Sequence, residues 1–384
     1  MLSYWRGPDE RLWERTIGEV LDETAGRCAG SLALVSRHQN IRLTWKELRD
    51  SAERVARGLW SLGIRPGDRV GLWSTNCLEW VLVHLGCARA GAVLVNVNPA
   101  YGSHELAFVL RRSGMKALFL WRKGERVDYS ALLEEARAGQ PLTLERVIYF
   151  DSADWNELRQ ATQPFAATIH PEDVANIQYT SGTTGSPKGV MLTHRNLVNN
   201  GKLAAQVMRY TPDDRICVPV PMYHCFGCVI GTMTALASGA ALVLSGWTFD
   251  PRAVLQAVEA ERATAIYGVP AMFIAELGHP DFSTFDLTSL RTGMMAGAPC
   301  PVEVMKRVVS EMHCPQMVIA YGQTESSPVI TMSELDDALE TRVSTVGKAL
   351  PSTEVKIARV GTGEPLPFGE QGEVCARGYM VMKG

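Results

Sequence analysis

Apolar residues Leu48, Ala52, Val55, Leu59 and Leu62 recur at steps of four and three through "LTWKELRDSAERVARGLWSLG", the period of a helix that buries one face. Thr44 and Glu47 stand at capping-box spacing before it and Gly63 closes it. Beyond Gly63 the pattern predicts a strand at 69–73, an apolar helix at 78–90, a strand at 92–97, a helix from Ser103 and a strand at 116–120. A less regular stretch holding Pro141, Pro164 and Pro171 follows. Alternation then resumes with a helix from His194, a strand near 215–219, a helix from Phe226, a strand at 240–244 and a helix at 251–261. Strands at 264–267 and 290–295, a helix at 301–312 and a strand at 316–320 complete it.

Strands alternating with helices predict largely parallel sheets flanked by helices, hence an α/β chain of two lobes, 1–170 and 171–335. After about Thr341 the helical period vanishes. Short segments such as "STEVKIARV" and "GEVCARG" between turn residues predict a small antiparallel β-unit over 336–384, part of a barrel-like element.

Residues 216–249 contain no Asp, Glu, Lys or Arg, a run long enough on paper to span a membrane. Pro219, Pro221, Gly227, Gly231 and Ser238-Gly239 punctuate it, so a buried strand, helix and strand fit better, which leaves room for peripheral membrane contact only. With 38 basic residues against 41 acidic ones, net charge supplies no reason to expect nucleic acid or an anionic membrane as partner. A small molecule is the expected partner, with no expectation for oligomeric state. Nine irregularly spaced cysteines and an N-terminus without an apolar signal core make a reduced, cytoplasmic setting the default expectation.

Candidate chemistry begins at "YTSGTTGSPKGVMLTHRN", residues 179–196. It lacks the Walker spacing, because Pro187 stands where a second Gly-Lys would be required, and it lacks G-x-G-x-x-G. Gly182, Gly185 and Gly189 still let backbone N–H groups approach phosphate oxygens, while hydroxyls and Lys188 add donors. On composition alone a solvent-exposed linker fits equally well.

The order of motifs separates the two. "YTSGTTGSPKGVMLTH", then "PMYHCFG" at 221–227, "GAP" at 297–299, "YGQTES" at 321–326 and "GEVCARGYMVMKG" resemble the signatures of the adenylate-forming superfamily, in particular its acyl-CoA synthetases. The resemblance implies attack of a carboxylate on the α-phosphate of ATP, giving an acyl-adenylate and pyrophosphate, with Mg²⁺ as cofactor and coenzyme A as co-substrate. A carboxylate is already ionised at pH 7, so no general base is required, and the task is to position and neutralise two anions.

It further implies that Thr180, Ser181, Gly182, Thr183, Thr184, Gly185, Ser186, Pro187 and Lys188 hold the outer phosphates. Glu325 would bind Mg²⁺ with Thr180 assisting, and Thr324 would meet the α-phosphate. Gly297, Ala298 and Pro299, with Tyr321, Gly322 and Gln323, would form the adenine slot. Without the motif, Glu325 would be a solvated charge and Tyr321 a core aromatic.

By itself His224 would read as a satisfied core histidine; the resemblance implies that it orients the carboxylate or gates its entry. Cys225 and Cys228 form a C-x-x-C with no second pair to complete a zinc set, so pocket lining is the expectation.

Phe226, Gly227, Val269, Met272, the run from Met294 through Met295 to Ala296, and Val329 would line an uncharged acyl pocket, with Gly322 leaving its floor open. Met222–Gly227 holds no carboxylate to pair an amino group, which argues against an α-amino acid. Flexible Met and small side chains suit an aliphatic chain, so a medium- or long-chain fatty acid is expected. The same motifs serve aryl-CoA ligases, luciferase-like enzymes and fatty-acyl-AMP ligases, and a non-catalytic nucleotide- or acyl-binding module would keep the loop as well. The resemblance also implies that the sequence corresponds to most of a large N-terminal domain, without the small C-terminal domain that carries a further Lys, and that the separated part is impaired in catalysis.

Overall fold

The structure, a computed structural model, describes residues 1–138, 143–180 and 187–384. Three sheets are found among them. The first has six strands in the order Arg146–Tyr149, Ala117–Leu120, Arg69–Trp73, Val93–Val97, Val174–Thr180 and Lys188–Thr193, parallel except at the last pair.

The second has nine strands. Its parallel centre runs Gln316–Gly322, Thr292–Ala296, Ala265–Gly268, Arg215–Cys217, Ala241–Leu244 and Leu32–Ser36. Antiparallel strands Val329–Met332, Lys348–Ala349 and Ile41–Thr44 finish its edges. The small antiparallel unit forms as the turn residues demand, from Thr353–Ala358 and Glu373–Gly378, and Tyr4–Arg6 joins it.

Sheet membership cuts across a division of the chain at residue 170. The hairpin of Leu32–Ser36 and Ile41–Thr44 extends the second sheet, whereas Val174–Thr180 and Lys188–Thr193 extend the first. The reason is pairing in space: Leu34 lies beside Leu242 and Ile177 beside Val95, each covering an otherwise open edge.

Helix Leu78–Ala90 is buried on nearly every side, as a helix apolar all round must be, and its Val81 and Leu85 share one continuous core with Leu242, Phe226 and Met294. Helix Trp45–Ser61 packs beside it and carries the expected cap: Thr44 Oγ1 accepts from Glu47 N at 3.3 Å, and Glu47 Oε2 accepts from Thr44 N at 2.8 Å.

The uncharged 216–249 run resolves into strand, helix and strand. Among the described residues no helix is long and apolar enough to cross a membrane. All nine cysteines are free thiols, seven of them buried.

Candidate functional site

The motif residues gather at the carboxyl ends of parallel strands, where open α/β sheets bind ligands. Thr180 ends its strand and is paired in register with Lys188, the first residue of the returning strand. The intervening residues 181–186, expected to wrap phosphate, lie outside the described residues. Thr180 is half-buried and Lys188 exposed.

Strand Lys188–Thr193 packs beside the turn Thr324–Ser326, which holds Glu325. The two are tied through a third segment. Met382 N donates to Glu325 O at 2.9 Å, Lys383 N donates to Met191 O at 2.9 Å, and Met191 N donates to Gly384 O at 2.9 Å. Glu325 is half-buried, and a single carboxylate near a Thr hydroxyl suits Mg²⁺, which takes oxygen ligands and completes its shell with phosphates and water.

Gly297, Ala298 and Pro299 follow strand Thr292–Ala296 and are exposed. Gly297 has φ +82°, in the left-handed region that favours glycine. Tyr321 is 38% exposed beside that loop, an open ring face able to meet a base. Gly322 needs its missing side chain for a reason other than an open tunnel floor: a Cβ there would lie 1.8 Å from Pro328 O. Gln323 caps the Glu325 turn, exchanging hydrogen bonds with Ser326.

The gate motif folds back on itself before its helix. Gly227 N and Cys228 N both donate to His224 O, at 2.9 and 3.0 Å, and the first turn Phe226–Gly231 is π-helical, a distortion often found at functional sites. A Cβ on Gly227 would lie 2.3 Å from Pro221 O, so only glycine permits the fold-back.

His224 Nδ1 accepts from Phe226 N at 3.1 Å, which leaves Nε2 as the N–H donor in the neutral ring. The ring is reachable by solvent yet recessed among protein atoms, and that desolvation holds its pKa below the ordinary 6.5. Cys225 Sγ lies 3.6 Å from Thr324 Oγ1, joining the gate to the Glu325 turn. Its partner in the C-x-x-C turns the other way: Cys228 Sγ receives Gln178 Nε2 at 3.3 Å and Asn96 Nδ2 at 3.5 Å.

Phe226 stacks on Tyr267 with ring centroids 5.7 Å apart, and Met272, Met294, Ala296 and Val329 belong to the same apolar cluster. Val269 Cγ1 is 3.3 Å from the Cβ position of Gly297, at the border with the candidate adenine slot. Met295 does not join them. Successive strand residues face opposite ways, and Met295 packs on the far side of the sheet with Phe273, Met305 and Val308. Sequence reading also missed Asn76, Asn96, Asn176 and Gln178, all buried: Asn76 and Asn96 bond the gate backbone, Gln178 reaches Cys228, and Asn176 stands behind them. Their signal, polar residues inside apolar strand patterns, was present at Asn96 and Asn176.

Comparison with known proteins shows the family. YngI of Bacillus subtilis is 44% identical over 395 residues, covering 96% of this chain and 72% of that protein. The mitochondrial medium-chain acyl-CoA ligase ACSF2 of Rattus norvegicus is 39% identical, covering the whole chain and 67% of the relative. A long-chain-fatty-acid-CoA ligase structure from Archaeoglobus fulgidus superimposes with a TM-score of 0.87 at 25% identity, over all of this chain and 79% of that one. The family described as AMP-binding enzyme matches residues 21–384, and the chain belongs to that adenylate-forming family.

Proposed function

We propose that the protein activates a carboxylic acid, a medium- or long-chain fatty acid, with ATP to an acyl-adenylate and passes the acyl group to coenzyme A. The observation that supports this reading is that strand Lys188–Thr193, paired at Lys188 with Thr180, packs beside the Thr324–Ser326 turn, whose Thr324 Oγ1 lies 3.6 Å from Sγ of Cys225, the residue after His224. An acyl carboxylate oxygen attacks the α-phosphorus, the bond to the bridging oxygen of the β-phosphate breaks, and pyrophosphate leaves. The coenzyme A thiolate then attacks the acyl carbon and AMP departs.

Lys188 meets the outer phosphates as a point charge, Thr324 meets the α-phosphate, and the neutral Nε2–H of His224 orients the incoming carboxylate. Glu325 and Thr180 hold Mg²⁺, which supplies charge neutralisation on the phosphates. Tyr321 and the backbone of Gly297–Pro299 receive adenine. The names of ACSF2 and of the Archaeoglobus ligase support an aliphatic acid and coenzyme A, as does the apolar cluster around Phe226.

Pyrophosphate release, measured with ATP, Mg²⁺, coenzyme A and saturated acids of graded length beside benzoate-type acids, tests the proposal. Aliphatic acids of intermediate or greater length are expected to give the highest kcat/KM. Preference for aromatic acids would overturn the substrate reading. Absence of both pyrophosphate release and calorimetric MgATP binding would overturn the whole of it.

A further inference from the structure

The gate turn belongs to the second sheet, but its position is set from the first. Asn76, which follows strand Arg69–Trp73, grips the turn on both sides: its Nδ2 donates to Val220 O at 3.0 Å and its Oδ1 accepts from Met222 N at 2.7 Å. Asn96, inside strand Val93–Val97, donates from Nδ2 to Tyr223 O at 3.0 Å. These bonds fall on three of the four residues before His224.

Behind Asn96 stands a ladder of amides. Asn176 Nδ2 donates to Asn96 Oδ1 at 2.9 Å, and Gln178 Nε2 donates to Asn176 Oδ1 at 2.6 Å. Gln178 also reaches Cys228 Sγ, and it lies two residues before Thr180 on the same strand. The four amides are no more than 3% exposed. Buried amides of this kind are retained only when their partners are fixed: Asn76 and Asn96 hold the backbone of the gate, and Asn176 is itself fixed by Leu94 O at 2.9 Å and by Asn96.

We propose that Asn76 and Asn96 are positioning residues for the acid. By clamping Val220, Met222 and Tyr223 across the two sheets they hold the His224 Nε2–H in place, while the ladder through Asn176 and Gln178 registers the gate to the Thr180 strand. The C-x-x-C thereby acquires a use without metal or redox chemistry: Cys225 faces the Thr324 side and Cys228 faces the ladder. The inference rests on the reading of His224 as the residue that meets the carboxylate.

Two measurements on Asn96→Leu and Asn76→Ala test it. In steady-state pyrophosphate release, the KM for the fatty acid should rise about tenfold while that for MgATP stays unchanged, as loss of orientation at one substrate predicts. Equal rises for both substrates, or no rise for the acid, would overturn the proposal. The second measurement needs no turnover: iodoacetamide labelling of the resting protein, mapped by mass spectrometry. A released gate turn should label Cys225 and Cys228 faster than in the parent while Cys87 and Cys314, both fully buried elsewhere, keep the parental rate. Unchanged labelling of Cys225, or faster labelling at all four, would sink the clamp. If the parent chain releases no pyrophosphate, the proposed function falls and the labelling still decides whether these amides hold the gate.

Discussion

Glu325 hangs from a three-residue turn whose carbonyl is fixed by Met382, so the carboxylate is placed by backbone rather than by a partner side chain. Truncation should therefore remove a cation ligand without disturbing the fold. Glu325→Ala is expected to raise the Mg²⁺ concentration for half-maximal pyrophosphate release about tenfold or more, with an unchanged melting temperature. Cys225→Ala, which loses weak sulfur contacts to Thr324 and to the His224 ring, should stay within about twofold of the parent in the same assay. At this scale the motif residues could be singled out only because their order along the chain resembles a family's signatures; type and spacing alone left a linker open. Met295 was not legible even so. It and Met294 are adjacent and chemically identical, and only the pleat of the strand decides which one meets the cluster around Phe226. At Gly322 the structure adds a reason the sequence does not show, since a Cβ there would meet Pro328 O.

Elements with a period or a cap could be read closely; elements without either could not. Helix Trp45–Ser61 shows both, and its cap predicts that Thr44→Ala loses about 1 kcal/mol in a denaturant melt. Helix Ile17–Arg27 carries the same cap, Thr16 with Glu19, and forms it in the same way, although the sequence pattern read above begins only at Thr44. The hairpin after it alternates too weakly to declare itself, because Leu32–Ser36 is buried for most of its length. The π-helical turn at Phe226–Gly231 had no signal at all: every residue in it is buried, so no stripe exists from which a period could be counted. Its cause is the backbone fold-back onto Pro221 and His224, a contact across a handful of residues rather than a repeating pattern.

For the whole molecule, two buried histidines, His84 and His194, are expected to weaken stability toward acid pH. Burial lowers the pKa of His84 and of His194 to about 4. The unfolded chain takes up these protons near 6.5 and the folded chain only near 4, so their contribution is complete above about pH 6.5 and is lost as pH falls toward 4. Each histidine accounts for about 2 kcal/mol of the loss between pH 7 and pH 5. His84 Nδ1 has no hydrogen-bond partner, so His84→Leu removes the liability without stranding another group. Thermal melts at the two pH values should show a smaller drop for His84→Leu than for the parent, and equal drops would refute the assignment.

The interleaving of the two sheets bears on how the protein is made. Leu34 finds its neighbour Leu242 roughly 200 positions later in the chain. At translation rates of about 5–20 residues per second, the hairpin at residues 32–44 waits on the order of 10–40 s before its sheet exists. Throughout that interval apolar Leu32, Leu34 and Val35 have no native partner strand on that side, so the nascent chain is most open to aggregation or chaperone capture near its beginning, far from the residues that perform the chemistry.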